Sequence, residues 1–248
     1  MNFTPGDLTR AAEDDDPTRS VDVARRVLGE CFDPVAIGVV EPSEPELDLA
    51  VDELRRIRDA IAGIAGSAVR LDDVSEKLRE AADLLESRVP DPRDRLKTLW
   101  EGDGNRRTNP VGGMENPIAP PLRVFGRNDG AVYGELVLGP AYQGPPGCVH
   151  GGVSSLIIDH LMGFANAWAG RYGMTAHYEL DYRSPTPLLE PLLFTCWVDE
   201  FDGRKTWTRA TIHTRDRLCV EAHALFLQAA IPIPGKDSAR SIVGDGGI

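Results

Sequence analysis

The chain has 248 residues, with 27 Lys+Arg against 39 Asp+Glu and a formal net charge of −12. Residues 1–100 carry −9 of this and residues 101–248 only −3, with no basic stripe, which argues against nucleic-acid phosphates or an anionic membrane surface as partners. A hydrophobic content of 42% suffices for a sizeable core and excludes wholesale disorder.

The start, MNFTPGDLTRAAEDDDP, has no basic segment followed by an apolar one, so no secretory signal is expected. Cys31, Cys148, Cys196 and Cys219 form no CxxC pair and read as reduced thiols, so a cytoplasmic location is expected. Residues 1–45 read as a flexible acidic arm, with a short helix expected over 20–28 behind Ser20 as N-cap. Residues 46–100 read as a helical extension. Leu47, Val51, Leu54, Ile57, Ile61 and Ile64 recur at helical spacing over 46–64, and Leu71, Val74, Leu78, Ala81, Ala82 and Leu85 do so over 71–88. Two such helices with a short connection predict an αα-hairpin. A third short helix is expected over 92–100. Residues 101–120, rich in Gly, Asn and Pro, read as a linker.

From residue 121 the texture changes. LRVFGR and VYGELVLG flank Asn128-Asp129-Gly130 and predict a β-hairpin. A helix follows over 151–169, apolar nearly all round through Val153, Leu156, Ile157, Ile158, Leu161, Met162, Phe164, Ala165 and Trp168. Asp159 and His160 inside it argue against a membrane span. Strands are expected at 174–183, 191–201, 206–214 and 218–229, then a loose tail over 231–248. The order β-β-α-β-β-β-β predicts an α+β domain over 121–230. One antiparallel sheet wrapped around one central helix would enclose that helix on all sides.

The chemistry concentrates in PGCVHGGVSSLIIDHLMG, residues 146–163. His150-Gly151-Gly152 opens the apolar helix. Glycines there let backbone N–H groups approach a ligand, and a helix N-terminus offers unpaired donors, a combination suited to an oxyanion hole. Asp159 lies among Ile157, Ile158 and Leu161, where a carboxylate is costly unless hydrogen-bonded or facing a polar cleft, so it is the candidate general base or nucleophile. Gly152 and Asp159 are about 10 Å apart along one helix, too far to serve one carbonyl. Two antiparallel copies could combine them, which predicts a homodimer with shared sites.

These motifs resemble the hotdog-fold acyl-CoA thioesterases, in particular the PaaI-like branch that includes the THEM-type enzymes. The matching features lie within residues 121–229: Pro-Gly-x-x-His-Gly-Gly at 146–152, the acid nine residues after the His followed by Gly163, and TAHYELDYRSPTPL from Thr175 through Tyr182 and Pro185. Residues 1–120 carry no such resemblance and would be an N-terminal α-helical extension of a hotdog domain. The resemblance implies hydrolysis of acyl-CoA thioesters, with coenzyme A as part of the substrate and no separate cofactor. It implies that the Gly151 and Gly152 amides polarise the carbonyl, His150 shapes their loop, Asp159 activates water or attacks directly, and Thr175 orients the water or Asp159. GRKT at 203–206 matches a segment that presents cations to the nucleotide end of CoA, making Arg183, Arg204 and Lys205 candidate phosphate contacts. His177 shares strand parity with Thr175 and is expected to line the cleft. A dimer of dimers is a further assembly the resemblance allows.

No metal site is expected, since Cys148 and His150 have no further ligands nearby in sequence. Two other readings stay open. One is a hotdog hydratase or dehydratase, for which no second acid is well placed. The other is a non-catalytic acyl-CoA-binding or scaffold protein, in which a costly acid such as Asp159 would be unnecessary.

Overall fold

The computed structural model describes residues 35–36, 45–91, 107–120, 122–127, 129–228, 230–231 and 240–241. The short helices expected over 20–28 and 92–100 lie outside them, as do most of the arm and tail.

Strands β2 (Arg123–Gly126) and β3 (Val132–Val137) form the expected hairpin. Gly130 turns it at φ 85°, a backbone region that favours glycine, and Asp129 Oδ1 accepts from the Ala131 N–H at 3.1 Å. Strands β5 (Pro191–Asp202) and β6 (Lys205–His213) reverse at Gly203, and β7 (Leu218–Leu227) follows. With β1 (Val35–Ala36) on β2, and β4 (Met174–Tyr182) on β7, they make one antiparallel sheet in the order β1-β2-β3-β5-β6-β7-β4. The order leaves β4, the strand after the central helix, at the far edge.

The central helix, α3 (Gly151–Trp168), lies across one face of this sheet. Period-two alternation turns Leu192, Phe194 and Cys196 of β5, Ala210 and Ile212 of β6, and Ala222, Ala224 and Phe226 of β7 toward it. They meet Ile157, Ile158, Leu161, Met162 and Ala165, all essentially inaccessible to solvent. The small alanines of β6 and β7 let the helix lie close to the sheet. Inside this core Thr208 Oγ1 donates to Asn166 Oδ1 at 2.6 Å, while the buried Asn166 Nδ2 is left without a partner.

The helix is not enclosed on all sides, contrary to the reading from its composition. Gly152 and Leu156 are exposed, and Asp159 and Gly163 are half-buried. These residues recur at helical spacing and form one uncovered stripe. The sheet reaches only the opposite side, and its edge strand β4 is itself largely exposed, including Met174 and Tyr182.

The N-terminal helices are α1 (Pro45–Ile64) and α2 (Asp72–Glu86), close to the expected bounds. The packed αα-hairpin does not form. Helix α2 buries none of its residues, whereas α1 buries Val51 and packs on the 3₁₀ turn Pro140–Tyr142. Residues 107–120 of the expected linker are a packed segment. Val111 sits in the core, Ala119 is fully buried, and Arg107 is ion-paired to both Asp48 of α1 and Glu115. Arg55 of α1 holds this segment by donating to the carbonyls of Gly113, Met114 and Asn116 at 3.0–3.1 Å. Part of the expected loose tail also pairs, β8 (Ala230–Ile231) with β9 (Arg240–Ser241). No helix among the described residues is long and apolar enough to cross a membrane.

Candidate active site

His150 is the N-cap of α3, in extended backbone at φ −62° and ψ 130°. Its Nδ1 accepts the Gly152 N–H at 3.0 Å, and its carbonyl accepts from Val153 and Ser154. An accepting Nδ1 fixes the neutral ring with its proton on Nε2. Gly152 therefore does not present a free amide, a correction to its expected role as an oxyanion donor. The Gly151 N–H, at the first helical position, has no hydrogen-bond partner among the described residues and is the open donor at the helix end.

Gly151 is a close-approach glycine. A Cβ there would stand 3.0 Å from the Tyr182 hydroxyl, which donates to the Gly151 carbonyl at 3.0 Å. Tyr178 Oη donates to the Ser155 carbonyl at 3.0 Å, one helical turn on. Thr175 Oγ1 then donates to Asp159 Oδ1 at 2.7 Å, one further turn along. Three hydroxyls of β4 thus stitch it to successive turns of α3, and the third selects the carboxylate oxygen Oδ1. Asp159 Oδ2 takes no hydrogen bond from the described residues and lies on the uncovered stripe.

Thr175, Tyr178 and Tyr182 share the helix-facing side because the β4–β7 register shifts between Thr175 and His177. That bulge overturns the parity argument for His177. The ring faces the other way, and Nε2 pairs with Glu179 Oε1 at 2.9 Å. Arg183 also departs from expectation. Its guanidinium is shared between Glu221 at 2.6 Å and Asp181 at 3.0 Å, so its charge is already matched by two carboxylates. Arg204 donates to the Gln228 carbonyl at 3.1 and 3.2 Å, and Lys205 Nζ stands 5.9 Å from the Trp207 ring centroid. Lys205 pairs with Leu227, which pairs with Met174, so this basic turn is level with the Thr175 end of β4 and about 10 Å away across two strand spacings. Arg183 follows the opposite end of that strand.

Burial lowers the pKa of His160 to about 4. Its ring packs edge-on against Phe164 and lies close to Gly112, a packing role. Among the described residues no group of three or more His, Cys, Asp or Glu could hold a metal ion. A cavity of about 780 Å³ lies at the other end of α3, lined by Arg127, Arg171, Trp197 and Phe201 among others, and includes none of the residues above. The sequence did not single out Tyr142. Its carbonyl accepts the His150 N–H at 2.9 Å, and its hydroxyl is held by Arg58 of α1, 84 residues upstream. No local spacing could reveal a pair so far apart in the chain.

Residues 146–224 match the thioesterase superfamily. Over 92 residues, 36% of this chain, the sequence is 36% identical to the acyl-coenzyme A thioesterase THEM4 of Xenopus laevis; over 88 residues it is 38% identical to that of Rattus norvegicus. The matched segment spans about two fifths of those relatives, 41% and 38% of their length. A crystal structure described as a thioesterase superfamily protein is 42% identical, with a TM-score of 0.68 over 78% of this chain and 95% of its own. With the central helix laid on an antiparallel sheet and a helical extension before it, the chain has the hotdog fold and belongs to the thioesterase superfamily.

Proposed function

We propose that the protein hydrolyses acyl-CoA thioesters to a free acid and CoA. The observation that carries this reading is the 2.7 Å hydrogen bond from Thr175 to Asp159 on an uncovered stripe of an otherwise buried helix. Thr175 fixes Oδ1 and leaves Oδ2 to take a proton from water. The water oxygen attacks the thioester carbonyl carbon, and the Gly151 N–H donates to the developing oxyanion. Collapse breaks the C–S bond, and the departing CoA sulfur takes up the proton. The names of the matched relatives support acyl-CoA as the substrate class.

Gly151 and Asp159 are eight residues apart, about 12 Å along the helix, so one chain cannot bring both to one carbonyl. A homodimer with antiparallel α3 stripes would pair the Gly151 of one subunit with the Asp159 of the other. The unpaired edge and exposed side chains of β4 beside the stripe support such a partner. Arg204 and Lys205 are the cations proposed to meet the CoA phosphates, because Arg183 is committed to Asp181 and Glu221.

The test is turnover of an acyl-CoA panel with thiol detection, on the wild type and on Asp159→Asn. Free CoA should form, and the variant should lose about 10²–10⁴-fold in kcat while remaining folded. A double-bond absorbance change without thiol release would identify a hydratase. Binding without either signal would identify a non-catalytic acyl-CoA carrier.

A further inference from the structure

Helix α1 makes no hydrogen bond to Asp159, Gly151 or His150, yet it grips the residue behind His150. The segment 142–144 forms the wall against which His150 rests. The Tyr142 carbonyl accepts the His150 N–H at 2.9 Å, and Gly144 lies so close that a Cβ there would come within 2.7 Å of His150 Cα. The 3₁₀ turn leading into this wall contains no fully buried residue, and Tyr142 packs only partly against the core. A second hold comes from α1. Arg58 Nη1 donates both to Tyr142 Oη and to the Pro117 carbonyl at 2.8 Å, with the guanidinium carbon 4.9 Å from the tyrosine ring centroid. Tyr142 Oη in turn donates to the Ile118 carbonyl at 3.0 Å.

We infer that Arg58 is a positioning residue for hydrolysis, acting through Tyr142 to set the height of His150 and hence of the Gly151 amide. The chain of contacts is continuous: Arg58 to the Tyr142 hydroxyl, the Tyr142 carbonyl to the His150 amide, and the His150 ring and backbone to the first turn of α3. An oxyanion donor acts only when aimed at the charge that forms, and a shift of about 1 Å can cost about 10²-fold. Helix α1 is thus part of the machinery rather than a detachable support. This inference rests on the hydrolase reading above, but its structural arm does not depend on turnover.

The experiment uses the full chain as Arg58→Met, Arg58→Lys, Tyr142→Phe and, as control, Arg56→Met, whose guanidinium pairs with Glu53 on the surface. Kinetics are measured well below each melting temperature, alongside amide spectra of protein labelled with ¹⁵N-glycine. In Arg58→Met, kcat should fall about tenfold or more with KM within about twofold, and Arg58→Lys should recover part of it. The Gly151 and Gly152 resonances should move while that of Gly163 stays in place, and Arg56→Met should match the wild type. If Arg58→Met does not fold, Tyr142→Phe keeps the ring, removes the hydroxyl and should give the same changes. A folded variant that retains kcat within about twofold, or whose Gly151 and Gly152 amides do not move, overturns the inference. A wild type inert toward every acyl-CoA, with those amides still moving in Arg58→Met, would instead sink the hydrolase reading and leave the positioning link standing.

Discussion

Glu135 sits on the face of β3 turned away from α3, since its neighbour Gly134 faces Leu161 of that helix. Its ladder neighbours are Arg123 and Leu193. Burial lifts its carboxyl from 4.5 to about 7. An acid with a raised native pKa holds its proton more tightly when folded, so the fold loses stability as pH rises from about 4.5 toward 7. The loss is at most about 3 kcal/mol once the group is ionised in both states. Glu135→Gln should therefore raise the melting temperature at pH 8 by a few degrees, at about 2–4 °C per kcal/mol for a chain of this size. The gain should shrink toward zero near pH 4.5. An equal gain at both pH values, read by calorimetry, would refute the assignment. At this scale the sequence singled out Asp159, Thr175, His150 and Gly151, which the structure gathers along α3 and β4, because motif spacing and the oddity of a lone acid are local signals. The orientation of His177 was not, because one extra residue in a ladder reverses parity, and only the pairing of β4 with β7 reveals it.

Among the elements, strands β2 to β7 and the central helix were legible almost to the residue, since period-two and period-3.6 patterns report burial directly, whereas the short β1, β8 and β9 were not. The same patterns found α1 and α2 but not what they meet. Helix α1 buries Val51 and turns Arg55 and Arg58 toward segments 58 to 84 residues later in the chain, contacts that no local period encodes. Helix α2 carries a comparable stripe and buries nothing among the described residues. The two helices should therefore respond oppositely to removal. Replacing residues 72–86 by a short Gly/Ser linker should leave the melting temperature within about 2 °C, because surface elements without buried contacts contribute little. Val51→Asp in α1 should lower it by several degrees, since it puts an unpaired charge at a site only 3% exposed. Thermal melts of the two variants decide the matter. A large loss on removing 72–86 would mean that α2 is covered in the assembled protein.

For the molecule as a whole, the proposed shared site predicts complementation between two inactive chains. Gly151→Pro deletes the open donor at little backbone cost, because proline suits the first helical position and His150 at ψ 130° already has the backbone that precedes proline. Gly151→Ala places a comparable Cβ, a methyl group, against Tyr182 but keeps the N–H, and so controls for crowding. Mixed with Asp159→Ala, the Gly151→Pro chain should regain up to about a quarter of wild-type activity once subunits exchange, since half the dimers are hybrids with one intact site each. Demonstrated hybrids without activity would place each site within a single chain.

The sheet order has a consequence for the growing chain. Strand β4 leaves the ribosome before β5, β6 and β7, yet its ladder partner among the described residues is β7 alone. From the release of Tyr182 until Leu227 follows, about 2–9 s at ordinary rates of synthesis, β4 has no strand to pair with and the sheet that covers α3 is incomplete. During that interval the nascent chain carries Met174, Tyr178 and Tyr182 on an unpaired strand beside an incompletely covered apolar helix. Neighbouring ribosomes on one message would hold such strands close together, and premature pairing between two β4 segments would compete with the return of β7. Slow translation between residues 183 and 227 should therefore lower the yield of soluble protein more than an equal slowing within residues 45–91.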